Sequence, residues 1–192
     1  MEQFIKKFII LNKDECKIIS NYILNNEDRI KELGDVIYGG TPENSLTGRF
    51  HCFNCLNVPE IREILKPKLK NSFDELKLKE PIYVQCWANT FRKGDYIQPH
   101  RHSSRGDNFI CANVFLQGCL NPGTSYLGDD NYFIDVENSE GEITFFKSTL
   151  VHGVREYQND DVRITLAMDI HHSESDSYHP EMENFPERYY KF

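Results

Sequence analysis

The stretch YIQPHRHSSRGD, residues 96–107, sets His100 and His102 on either side of Arg101 at the end of a predicted strand. Alternate residues of a strand face the same way, so the two rings can converge while Arg101 faces the other side. Converging imidazoles suit a divalent transition metal; the other reading of a lone H-x-H is one ring hydrogen-bonded in the core and one in solvent. A third histidine, His152, follows a predicted strand and a short turn, and Arg163 comes eleven residues later inside an apolar strand. In RITLAMDI the face carrying Ile164, Leu166, Met168 and Ile170 is apolar, which puts Arg163 and Thr165 together on the opposite face. A guanidinium buried there without a partner is costly. A carboxylate held by its fork and the neighbouring hydroxyl would satisfy it, as would an ordinary salt bridge to Asp or Glu, or a strand edge in solvent.

The elements that must position these residues fall into two regimes. Asn12 followed by Glu15 forms a capping-box signature, and Ile18, Ile19, Tyr22, Ile23 and Leu24 recur at helical spacing, predicting a helix over about 13–25. Ile61, Ile64, Leu65, Leu69, Phe73 and Leu76 predict a second helical segment that Pro67 should kink or divide. From Pro81 onward the period becomes two, β-branched and aromatic residues dominate, and Gly, Pro, Asn and Asp punctuate. Eight short candidate strands without intervening helices predict an antiparallel sandwich or barrel, with the N-terminal helices covering one outer face. We therefore expect one domain: a helical support over 1–80, a β core over 81–172, and a tail over 173–192 that packs irregularly or helps pair two chains.

At 192 residues the chain is long enough for one sizeable core. Its 30 acidic residues against 22 basic ones give a net charge of -8, which disfavours nucleic acid as a partner. The start lacks the apolar core of a secretory signal, and no run approaches the roughly 18 apolar residues of a spanning helix. No membrane partner and a cytoplasmic location are the expectation, as monomer or homodimer. The six cysteines are scattered, and HCFNC at 51–55 holds a C-x-x-C, Cys52 and Cys55, with no second pair at zinc-ribbon spacing; buried or loop thiols are expected, with a structural zinc the alternative.

The order W-A-N, then G-D-Y-I-Q-P-H-R-H, then G-E-I-T-F-F-K-S-T-L-V-H-G-V, then R-I-T resembles the Fe(II)- and 2-oxoglutarate-dependent oxygenases, in particular a group carrying H-x-H near W-x-N, and more loosely the prolyl 4-hydroxylase branch. The likeness spans about Tyr83 to His171, and the segment FIILNKDECKIISNYI is similar to the one that precedes the family's core. It implies a double-stranded β-helix (jelly-roll, cupin-like) barrel mainly of β structure behind N-terminal helices. It implies His100 and His152 as first and distal iron ligands, Arg163 and Thr165 as the cradle for the far carboxylate of 2-oxoglutarate, and O2 as oxidant, with succinate and CO2 released as a peptidyl or small-molecule substrate is hydroxylated. The family places Asp or Glu where this chain has His102. Three readings stay open: His102 as the third metal ligand, Asp107 swinging in as the carboxylate, or two protein ligands only. An all-histidine site also suits a three-His dioxygenase without a keto acid, or a cupin-like binding module that has lost iron.

Around the pocket, Tyr83, Gln85, Trp87 and Asn89 share one strand face, either lining the cavity, with Asn89 or Tyr83 touching the cosubstrate, or lying in solvent. Asn113, beside Cys111 and Phe115, either binds the keto acid or ties two strands. Loops RHSSRGDN and CLNPGTSYLGDDNY are expected at the mouth, with Arg105, Asp107 and Tyr126 as possible substrate contacts. His171 and His172 are expected to mark the exit of the Arg163 strand.

Overall fold

The computed structural model describes residues 5–33, 53–103 and 109–192. In chain order its elements are β1 (Ile5–Ile9), α1 (Lys13–Asn25), α2 (Glu27–Glu32), α3 (Pro59–Leu76), β2 (Ile82–Phe91), β3 (Ile97–His100), β4 (Ile110–Gln117), β5 (Thr124–Leu127), β6 (Phe133–Val136), β7 (Glu142–Lys147), β8 (His152–Val154), β9 (Arg163–His172) and β10 (Tyr190–Lys191). Two antiparallel sheets result: one of six strands in the order β1-β7-β4-β9-β2-β10, and one of four in the order β3-β8-β5-β6. This is a jelly roll, the double-stranded β-helix of the sequence reading. Among the described residues the sheets face one another without hydrogen bonds closing them into a ring, so the expected barrel is a sandwich.

Asn12 starts α1 by the expected reciprocal cap, accepting from the Glu15 amide at 2.9 Å while the Glu15 carboxylate accepts from the Asn12 amide at 2.9 Å. Pro67 does not divide α3, which runs unbroken through it. A proline costs its helix one amide donor and crowds the carbonyl four residues back; here that turn faces solvent, where water can serve the released carbonyl.

Alternation along the strands decides what lies where. Ile164, Leu166, Met168 and Ile170 of β9, Val84, Cys86 and Ala88 of β2, Ala112, Val114 and Leu116 of β4, and Ile143 and Phe145 of β7 pack beneath Ile19, Ile23, Ile61, Leu65, Leu69 and Phe73 of the helices in one continuous core. Each such side chain taken from water contributes about 1.5–3 kcal/mol, so this face anchors the fold. The opposite faces of the same strands look toward the smaller sheet and carry polar and aromatic residues, all of them buried on β2.

The sequence reading missed two strands. Ile5–Ile9 pairs antiparallel with β7, and Tyr190–Lys191 pairs with β2, so the C-terminal segment joins the sheet edge and is more than irregular packing. No helix among the described residues is long and apolar enough to cross a membrane. Cys16, Cys55, Cys86 and Cys111 are buried free thiols and Cys119 is half-buried, while Cys52, and with it the C-x-x-C, lies outside the described residues.

Candidate metal centre and anion pocket

Two neighbouring strands of the smaller sheet, β3 and β8, bring the imidazoles together, with β5 beside them. His100 on β3 pairs directly with His152 on β8, and His152 pairs in turn with Tyr126 on β5. β3 ends at His100; His102 lies just beyond, where its amide donates to the Ser148 carbonyl at 3.0 Å and the Ser103 and Ser148 hydroxyls meet at 2.9 Å. The ring centroids are 4.4 Å apart for His100 and His152, and 5.1 Å for His102 against each of the others. One nitrogen from each ring lies within 4.8 Å of the other two.

The hydrogen bonds on the far edges fix which nitrogens converge. The Nδ1 of His100 meets the Gln98 carbonyl at 2.9 Å, that of His152 the Leu150 carbonyl at 3.0 Å, and that of His102 the Asp169 carboxylate at 2.6 Å. All three partners accept, so each Nδ1 carries a proton and each ring, when neutral, turns an Nε2 lone pair inward. The Nε2 atoms of His100 and His102 stand 3.2 Å apart. Two lone pairs at that distance repel unless a cation lies between them. Two nitrogens at right angles around a metal about 2.1 Å away would be about 3 Å apart, so the spacing fits a shared divalent ion. His100 is exposed, His102 half-buried and His152 buried, leaving one side of the cluster open.

Electrostatics follow the same pattern. Burial, reinforced by the neighbouring rings of His102 and His100, holds His152 well below the ordinary histidine range. For His102 burial pulls the same way, but Asp169 outweighs it and the pKa is raised. Burial would raise Asp169; His102, His171 and the Cys111 thiol, which donates to it at 3.2 Å, outweigh that and hold its carboxyl low. The ring of Trp87 stacks on His102 at 5.9 Å, and Tyr126 and Phe146 flank His152 at 6.0 and 4.6 Å.

On the same inner face of β9, Arg163 is 2% exposed. Its guanidinium lies 4.9 Å from the centre of the Phe91 ring and 5.7 Å from that of Phe115, and its Nε and Nη1 have no hydrogen-bond partner among the described residues. Burial lowers its pKa to about 10, against the smaller opposing pull of Tyr157 and Tyr126. No described acidic side chain forms an ion pair with it, which sets aside the salt-bridge reading within those residues. Such a group is costly to bury without an anion to receive it. Thr165 is buried two residues on, and its hydroxyl accepts from the Asn89 amide at 3.4 Å.

The remaining predicted positions separate. Asn89 joins the Arg163 pocket through Thr165. Tyr83, on the same strand face, is drawn to the C-terminal segment, donating to Glu183 at 3.3 Å beside Tyr178, and is not brought to Arg163. Asn113 spends its amide donor on Thr124 at 3.4 Å and so links the two sheets. Tyr126 sits in β5, not in a mouth loop; it is 1% exposed and its ring stacks against that of His152. Arg105 and Asp107 lie outside the described residues. His171 and His172 fall inside β9 and are buried, His171 meeting the Ser177 hydroxyl at 2.7 Å.

Sequence reasoning passed over Asp169. The signal was present: counting by twos from Arg163 and Thr165 reaches it on the same face.

No family model matches this sequence, and no curated protein does. Solved structures do. A prolyl-4-hydroxylase from Pseudomonas putida is 17% identical over 89% of this chain and 94% of its own, with a TM-score of 0.56. The viral collagen prolyl hydroxylase vCPH from Paramecium Bursaria Chlorella virus-1, in its 2OG complex, is 14% identical over 88% and 96% respectively, at 0.58. HygX from Streptomyces hygroscopicus, with nickel and 2-oxoglutarate bound, is 12% identical over 90% and 84%, at 0.65. At these identities the likeness establishes architecture: this chain shares the jelly-roll fold of the prolyl hydroxylase and HygX structures.

Proposed function

We propose that the chain is an Fe(II)- and 2-oxoglutarate-dependent dioxygenase that hydroxylates a peptidyl or small-molecule substrate. The observation that carries this reading is the buried guanidinium of Arg163, without an acidic partner among the described residues, on the same inner face of β9 as Asp169, whose carboxylate binds one of three imidazoles with converging ring nitrogens. When bound, Fe(II) and the keto acid would supply oxidative decarboxylation, one oxygen of O2 going to succinate as CO2 leaves and the other to a substrate C–H bond. His100, His102 and His152 hold the metal. Arg163 and Thr165 receive the distal carboxylate, Asn89 orients the Thr165 hydroxyl, and Phe91 and Phe115 keep water from the guanidinium. The open side beside His100 admits the substrate. The net charge of -8 favours neutral or basic molecules, and the neighbours' names span both classes, a collagen prolyl hydroxylase and a structure with hygromycin B bound.

Anaerobic addition of Fe(II) and 2-oxoglutarate is expected to give a weak visible charge-transfer band. Arg163→Ala should abolish that band and leave metal binding intact, and Arg163→Lys should not restore it, because an ammonium lacks the planar fork. An unchanged band in Arg163→Ala refutes the assignment. A three-His dioxygenase without a keto acid is the second reading, favoured by His102 at the place of the usual carboxylate. It predicts oxygen consumption with no succinate formed.

A further inference from the structure

We propose that Asp169 is the positioning and charge-supplying residue of the metal centre: through His102 it provides, one hydrogen bond removed, the negative charge that a directly coordinating carboxylate would otherwise bring. This rests on reading the three imidazoles as a metal site. Their donor set alone is neutral, whereas two histidines and a carboxylate carry one negative charge, and the divalent ion binds less tightly for the difference.

The contact made by Asp169 differs in kind from those of its counterparts. His100 and His152 give their Nδ1 protons to main-chain carbonyls at 2.9 and 3.0 Å, while His102 gives its own to a carboxylate at 2.6 Å. That is shorter than an ordinary N–H···O bond, as expected when the acceptor is ionised. Asp169 is 8% exposed, and no Lys or Arg pairs with it among the described residues. Its carboxylate faces the His102 imidazole edge and the Cys111 thiol that also donates to Oδ1, with His171 the other basic group acting on it.

Direct ligation by Asp169 does not fit. A second conceivable donor set, His102 with Cys111 and Asp169, lies on the Nδ1 edge of the ring, whereas the three-histidine cluster closes over the opposite, Nε2 edge. One ion cannot sit on both edges, and the Nδ1 edge is already bonded. Asp169 thus acts through the ring: it fixes the tautomer that offers Nε2 and makes that nitrogen a stronger donor.

Asp169→Asn separates charge from position, since the amide keeps the size and one oxygen that can still accept from Nδ1. Titration of apo-protein with Ni(II) at fixed pH, followed by calorimetry, should give one site in the wild type and an affinity about 10- to 100-fold weaker in Asp169→Asn. Cys111→Ala, which removes the thiol donor to the same oxygen and leaves the carboxylate and its charge, should stay within about threefold. Wild-type affinity in Asp169→Asn overturns the proposal. Failure of the wild type itself to bind Ni(II) overturns the metal-site reading beneath it. Should Asp169→Asn not fold, the Zn(II)-loaded wild type decides by nitrogen-15 correlation NMR of the rings. The His102 Nδ1 proton should resonate downfield of those of His100 and His152, and equal shifts or metal attachment at Nδ1 refute the proposal.

Discussion

A charge withdrawn from water needs partners, and Glu27 has them. Glu27 has a side chain only 8% exposed and receives both ends of the Arg92 guanidinium, at 2.9 and 2.7 Å, with Lys31 at 3.0 Å. Burial would raise its pKa; Arg92 and Lys31 outweigh burial, and the folded carboxyl titrates below its ordinary value. A depressed folded pKa gives stability that is present above the unfolded value of about 4.3 and disappears as the pH falls through the folded one. Glu27→Gln should therefore cost about 1–2 kcal/mol near neutral pH, the exposed flank of Arg92 keeping the figure low, and the gap to wild type should close in acid. Urea unfolding at two pH values measures it, and a gap independent of pH would refute the account. Arg163 is the contrasting case, a guanidinium far more deeply buried than that of Arg92 and lacking such a partner among the described residues.

At the scale of elements, the strands were legible because period two and turn residues are local signals: all eight candidates exist, and α1 has the predicted bounds. What escaped depends on neighbours distant in sequence. IKKFI gives no clean alternation and becomes a strand only because β7 offers an edge, and two residues at 190–191 are too few to register as a pattern. Pro67 misled because the cost of a proline depends on whether the bereft carbonyl faces water. The convergence of His100 and His102 was readable from spacing, whereas the approach of His152 required the β3–β8 pairing, and the loss of Tyr83 to the C-terminal segment could not be read at all.

One element-level detail bears on the anion pocket. The β4–β9 register shifts between Phe115 and Gln117, and Gly118 follows with φ +101. A Cβ there would stand 2.5 Å from the Arg163 Cα, so both conformation and space require glycine. Gly118→Ala should lower stability by about 2 kcal/mol or more and weaken 2-oxoglutarate binding by displacing Arg163. Urea midpoints read the first effect and cosubstrate titration the second; lost stability with unaltered affinity would reduce Gly118 to a turn residue.

Across the whole molecule the six-stranded sheet divides labour by face. Its outer side is apolar and seated on helices, and its inner side carries the charged and hydrogen-bonding groups that the smaller sheet encloses. The sole tryptophan of all 192 residues lies on that inner side, its indole stacked on the His102 ring. Emission excited selectively at the indole is thus a spectroscopic gauge of the surroundings of His102 alone. A paramagnetic ion such as Co(II) or Ni(II) should quench that emission stoichiometrically, diamagnetic Zn(II) should leave most of it, and His152→Ala should silence the response while the tryptophan stays in place. Loading could then be followed in real time without a label.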